Sequence, residues 1–126
     1  MSETAIGRIH QISMRAHDID RAVRFYRDAL GIPLLFVAPP GLAFFDCHGV
    51  RLMLSHPEPG FDHPGSVLYF YVNDIGDAHR SLLSRGVAFR SAPHKIATLA
   101  DREVWLADFN DSEGNVLALM SEPRLG

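Results

Sequence analysis

Seven histidines, one cysteine and a pair of neighbouring phenols are the side chains of this chain best suited to chemistry. Histidine binds metals and moves protons near neutral pH. No two of the seven stand four apart on a helical stretch, so a ready-made helical metal motif is missing. His17 precedes a helix cap, His48 lies in a hairpin turn, His56 and His63 flank a proline-rich joint, and His79 sits on a helix face. Solvent or packing accounts for each of these. His10, beside Gln11, is expected to be packed or hydrogen-bonded, and His94 stands in Ala92-Pro93-His94-Lys95-Ile96, on a strand or its approach. Cys47 next to His48 suggests a nucleophile and its base. Adjacent strand residues point to opposite faces, so the pair cannot meet there, and a small buried thiol is the better reading. Tyr69 and Tyr71 alternate onto one strand face, where His94 or either phenol could serve as a general acid or base. Glycine-rich phosphate loops and serine-nucleophile elbows are absent.

These side chains must be positioned by elements, and the elements come twice. Residues 11–19, Gln-Ile-Ser-Met-Arg-Ala-His-Asp-Ile, run from a strand into a helix, and residues 67–75, Val-Leu-Tyr-Phe-Tyr-Val-Asn-Asp-Ile, do so again. A second echo sets residues 49–54 against 114–119. Ile12, Met14 and Ala16 alternate with polar neighbours, which predicts a half-buried strand. Asp18 caps a helix carried by Ile19, Ala22, Val23, Tyr26 and Leu30, and Gly31 with Pro33 ends it. Strands are predicted over 34–38, 42–47 and 51–55. In the second half Asp74 is the cap, Ile75, Ala78, Leu82 and Leu83 form the apolar helix face, and Gly86 is the stop. Strands follow near 87–90, 103–108 and 116–120. Asp46 and Asp111 occupy matching turns, which suggests Asx-type bonding to the backbone. Two half-size units, each too small for a core of its own, predict one pseudo-symmetric domain with a cleft between its halves.

Composition narrows the class. The chain has 126 residues, 47% of them hydrophobic, enough for one core. Its formal net charge is −3 and its basic residues are scattered, so nucleic acid is not an expected partner. No run approaches the roughly 18 apolar residues of a membrane span, and residues 1–8 lack the apolar core of a signal peptide. A lone cysteine rules out an internal disulfide framework and fits a reducing, cytoplasmic setting.

The stretch Asp18-Ile19-Asp20-Arg21-Ala22-Val23-Arg24-Phe25-Tyr26-Arg27-Asp28-Ala29-Leu30-Gly31, followed by Leu34-Leu35-Phe36, resembles the vicinal oxygen chelate superfamily. So does Asp111-Ser112-Glu113-Gly114-Asn115-Val116-Leu117-Ala118-Leu119, where Ser112 and Glu113 depart from the family's usual turn. That superfamily holds glyoxalase I, bleomycin-resistance proteins, methylmalonyl-CoA epimerase and extradiol dioxygenases. The resemblance implies an α+β fold of two tandem βαβββ modules forming a curved-sheet cup. Module one spans about 8–56, the joint 57–65 and module two about 66–122, within a single domain over 1–126. It also implies a homodimer whose cup lies within one chain or is shared by two. Glyoxalase-like members hold a divalent metal through four side chains at the cup floor. By register those positions are Gln11, Met53, Val67 and Ala118. Only Gln11 offers an oxygen ligand, and a thioether and two aliphatic groups suit no ion that prefers nitrogen or oxygen donors. The usual metal is therefore expected to be missing, and no cofactor is predicted. The alternative is a divalent ion at an atypical site using His10 or His94, the latter standing where family members carry substrate contacts.

Strand parity assigns Gln11, Ser13, Arg15, Arg51, Met53, Ser55, Val67, Tyr69, Tyr71, Val116, Ala118 and Met120 to the cup. Apolar walls with a few polar groups suit a small aromatic or amphipathic ligand. Phe44, Phe45, Trp105 and Phe109 could add stacking surface. The expected ligand-binding set is Gln11, Arg51, Met53, Tyr69, Tyr71, His94 and Trp105, with the catalytic residues unassigned. The favoured function is metal-free binding of a small molecule, as in the bleomycin-resistance branch. The alternative is a lyase, isomerase or dioxygenase with an atypical metal set, or a metal-free acid–base enzyme.

Overall fold

The computed structural model describes residues 5–59 and 65–126. Residues 1–4 of the N-terminal stretch and 60–64 of the joint, with His63 and Pro64, lie outside the described residues.

The order is β1 (Gln11–Arg15), α1 (Ile19–Arg24), a π-helical turn (Phe25–Ala29), β2 (Leu34–Ala38), β3 (Leu42–Cys47) and β4 (Val50–Ser55). The second half continues with β5 (Leu68–Tyr71), α2 (Ile75–Ser84), β6 (Ala88–Phe89), β7 (His94–Thr98), β8 (Glu103–Asn110) and β9 (Val116–Ser121). Both helices begin in the same way. The Asp18 carboxylate accepts from the Arg21 amide and the Asp74 carboxylate from the Asp77 amide, each at 3.0 Å. Each satisfies one of the backbone donors that a helix start leaves open. α1 then widens, the Leu30 amide reaching back to the Phe25 carbonyl at 3.0 Å. The wide turn seats the buried Tyr26 ring 5.8 Å from Phe45. Gly31, at φ 74°, makes the left-handed exit.

The chain is α+β, with two sheets. The first has the order β1-β4-β3-β2, with β1 and β4 parallel. The second has the order β5-β9-β8, with β5 and β9 parallel and both β6 and β7 along the far side of β8. This corrects the expectation of a single strand at 87–90. β6 pairs the end of β8 at Phe109 and Asn110, and β7 pairs its beginning from Glu103 to Leu106. Pro93, which has no amide to give a ladder, stands in the break. Ser91 fills the gap by hydrogen-bonding the Asp108 carboxylate and accepting from the Asp108 amide. The two short strands together do for the second sheet what β2 does for the first.

One core joins the halves. Met14, Phe45, Leu52 and Leu54 of the first sheet cluster with Phe109, Leu117 and Leu119 of the second and with Tyr26 and Leu82 of the helical segments. The helix-side faces of both sheets therefore enclose shared apolar volume, and the opposite faces point outward. β1 and β5 are outer strands. Ala16 donates its amide to Ser55 and His10 accepts from Arg51, so the even residues of β1 face β4. The backbone groups of Gln11, Ser13 and Arg15 consequently face away from the sheet. Among the described residues no helix is long and apolar enough to cross a membrane.

Candidate functional site

Directly paired residues of neighbouring strands share a face, so the ladders define what each outward face presents. On the first sheet one transverse row is Gln11, Arg51 and Asp46, and the next is Ser13, Met53, Phe44 and Phe36. Gln11, Arg51 and Met53 are thus brought together as expected. Arg51 Nε donates to Gln11 Oε1 at 2.7 Å, and Gln11 Nε2 approaches Met53 Sδ at 3.7 Å. The Arg51 guanidinium lies 5.2 Å from the centre of the Phe44 ring, which stacks on Phe36 at 4.5 Å. Phe36 is 50% exposed.

On the second sheet one row is Tyr71, Met120, Leu106 and His94, and the next is Tyr69, Ala118 and Asp108. Tyr69, Tyr71 and His94 all belong to this outward face, and the two tyrosines are exposed. The His94 ring donates from Nδ1 to the Ala92 carbonyl at 2.9 Å, which leaves Nε2 as the ring nitrogen not engaged by that bond. Tyr71 and His94 stand three strand spacings apart, roughly 14 Å, too far for the two to share one proton.

Several expectations are corrected by placement. Trp105 shares its parity with Ala107 and Phe109, packs against the core and donates Nε1 to Glu103 at 3.0 Å, so it faces the helices. Phe45 and Phe109 are fully buried in the core, and Phe44 alone of the added aromatics reaches the outward face. Val67 precedes β5 rather than lying in it. His10 is exposed, not packed. Cys47 is half-buried at the β3–β4 turn, where burial raises its thiol pKa, so a reactive thiolate is disfavoured. Asp46 does make the expected turn bond, to the Gly49 amide at 3.0 Å.

Asp111 does more than close a turn. Its Oδ1 accepts from the amides of Glu113 and Asn115, and its Oδ2 accepts from Asn115 Nδ2 and, at 2.6 Å, from the Tyr26 hydroxyl. Burial together with Asp111 raises the Tyr26 pKa well above the ordinary phenol value, so the hydroxyl keeps its proton and donates. Glu113 accepts from the Asp18 amide at 2.8 Å and from Arg21 Nε and Nη2 at 2.7 and 3.0 Å. Burial pushes this carboxyl up, but the bonds from Arg21, Asp18 and Ser112 outweigh it and hold it at about 2. Asn115 adds a bond to the Arg15 carbonyl at 2.8 Å. The turn over 111–115 is therefore a clasp on α1. Among the described residues the opposite seam has none: the two-residue turn at 48–49 leaves a cleft of about 360 Å³ beside α2, lined in part by Cys47, His48, Ser81 and Arg85. Sequence reasoning missed the clasp, whose only signal was Glu113 in an otherwise ordinary turn.

Comparison with known proteins places this geometry. Among solved structures, lactoylglutathione lyase from Agrobacterium tumefaciens superposes with a TM-score of 0.75 at 20% identity, covering 94% of this chain and 96% of that one. TnmS3, an antibiotic binding protein from Streptomyces sp. CB03234, gives 0.74 at 24% identity, with 95% and 99% covered. At these identities the likeness speaks for the fold. The uncharacterized protein YraH of Bacillus subtilis (strain 168) is 25% identical over 86% of this chain and 94% of its own length. The model of the Glyoxalase/Bleomycin resistance protein/Dioxygenase superfamily matches residues 8–119. With nearly the whole length matched, the chain belongs to that superfamily.

Proposed function

We propose that this protein binds a small aromatic or amphipathic molecule, without the divalent metal associated with its superfamily, in a cup completed by a second copy of the chain. One observation carries the metal-free part. Gln11, the sole oxygen donor among the four floor positions, already accepts from the Arg51 guanidinium at 2.7 Å. A fixed positive charge there repels a divalent ion, and Met53, Val67 and Ala118 supply no nitrogen or oxygen to offset it. The floor residues do not fit the metal. The test is elemental analysis of protein purified without chelator, with thermal shifts on adding Ni, Zn, Mn or Fe. One metal per chain with a large rise in melting temperature sinks the reading.

Support for the shared cup comes from the outward faces. Within one chain the two faces back onto a common core instead of facing each other, and β1 and β5 are the outer strands of their sheets. A twofold partner that sets its β5 beside β1 brings the Gln11–Arg51–Phe44 surface next to Tyr69 and Tyr71. The chain over 1–126 then acts as one domain of a homodimer, and its single half-buried thiol suits a reducing cytoplasm. TnmS3 is described as an antibiotic binding protein, a ligand class with the apolar and polar character that such a cup would take.

A second reading, metal-free acid–base catalysis, is favoured by the His94 tautomer. With Nδ1 committed to the Ala92 carbonyl, Nε2 is the ring nitrogen available for proton transfer on the outward face. Turnover of a bound compound that disappears in His94→Ala, with binding retained, establishes catalysis. Turnover that survives the substitution excludes His94.

A further inference from the structure

The geometry points to anion selection: we infer that the cup takes planar aromatic molecules carrying a carboxylate or comparable oxyanion, with Arg51 as the specificity-determining residue. The inference rests on the cup being the ligand site. Arg21, Arg27, Arg90 and Arg102 each rest against a carboxylate. Among the described residues Arg51 has no carboxylate within 4 Å. Asp46, its neighbour across β3, turns Oδ1 to the Gly49 amide and forms no ion pair with it. What holds Arg51 is neutral. Gln11 accepts from Nε, and the Phe44 ring lies beneath the guanidinium plane.

A neutral support orients a guanidinium without cancelling its charge. With Nε engaged, the two terminal nitrogens are left to grip an oxyanion end-on. Beyond the buried Phe44, the half-exposed Phe36 ring continues from Arg51 along the same face as an aromatic shelf. A planar ring lies on that shelf while its anionic group meets the guanidinium. The arrangement also explains why Gln11 is useful where a metal ligand would otherwise stand: it serves as the orienting acceptor for the cation.

The test uses the whole protein and two matched probes, 2-naphthoate and the neutral 2-naphthamide, followed by calorimetry and by the ring resonances of Phe36, Phe44 and Tyr69. Charge-assisted bonds to one guanidinium predict that naphthoate binds roughly 10- to 100-fold more tightly, a preference that shrinks with salt. Arg51→Met brings the two probes within about threefold of each other by weakening naphthoate. Gln11→Leu keeps the charge, loses its orientation and gives an intermediate ratio. Equal affinities on the unaltered protein, or a preference that survives Arg51→Met, overturn anion selection and leave the cup standing. If neither probe moves the ring resonances, the cup reading and the anion reading fall together. If those resonances move only on dilution, a second copy covers the shelf and the proposal is wrong.

Discussion

Glu113 is one carboxylate doing the work of a joint, because its two oxygens hold both the amide and the arginine at the start of α1. Its pKa is depressed from 4.5 to about 2, so its stabilisation is complete above about 4.5 and is lost as pH falls towards 2. At neutral pH the shift corresponds to at most about 3 kcal/mol. Glu113→Gln should lower unfolding free energy at pH 7 by about 2 kcal/mol, and denaturant titrations at pH 7 and 3 should find the gap narrowed at the lower pH. An unchanged gap would assign the loss to packing instead. Tyr26→Phe keeps the ring and strips one donor from the buried Asp111 carboxylate, an expected cost of about 1–2 kcal/mol by the same titration. At this scale the sequence was partly legible. Gln11 and Met53 were placed by the register of an internal repeat. Glu113 was seen only as a departure from a usual turn, because its partner Arg21 lies 92 positions away. Trp105 was misplaced because its pairing with Ser121 follows from the five-residue turn after β8, and the first half has no counterpart of that turn.

β2 and β3 fall where the turn residues Pro39-Pro40-Gly41 and His48-Gly49 put them. The π-helical turn was illegible for a plain reason: Ile19, Ala22, Val23 and Tyr26 have ordinary helical spacing, and the wider turn shows only in the reach of Leu30 to the Phe25 carbonyl and of Tyr26 to Asp111 in the second half. The split of one strand into β6 and β7 was foreshadowed by Pro93 and missed because the strand was given too short a span. The outer strands permit a sharp test. Ser13 turns its amide away from β4, so Ser13→Pro removes a donor from the outer side of β1 and none from the β1–β4 ladder. Light scattering should report a folded monomer for this variant and a dimer for the parent. A dimer that persists means the subunits do not join along β1.

The duplicated architecture is held unequally. Five hydrogen bonds from the 111–115 turn and the β1–α1 segment close one seam. The other has the cleft beside α2 and a bond from Arg85 to the Ala29 carbonyl. Local opening should follow that difference. In native-state hydrogen exchange the amides of α2 should exchange sooner than those of α1, and equal protection would mean that the clasp adds nothing to local stability. The symmetry of the whole was plain in the repeated strand-to-helix segments. Its breaking was not, because a three-residue difference in turn length becomes visible only against the helix it does or does not reach. The outward placement of the two sheet faces has a genetic consequence. If each cup draws one face from each subunit, a mixed dimer of Arg51→Met and Tyr71→Ala chains gathers both defects into one cup. The other cup is then wild type, so two chains that are each impaired would regain one working cup in every mixed dimer, roughly a quarter of all cups when the chains pair at random.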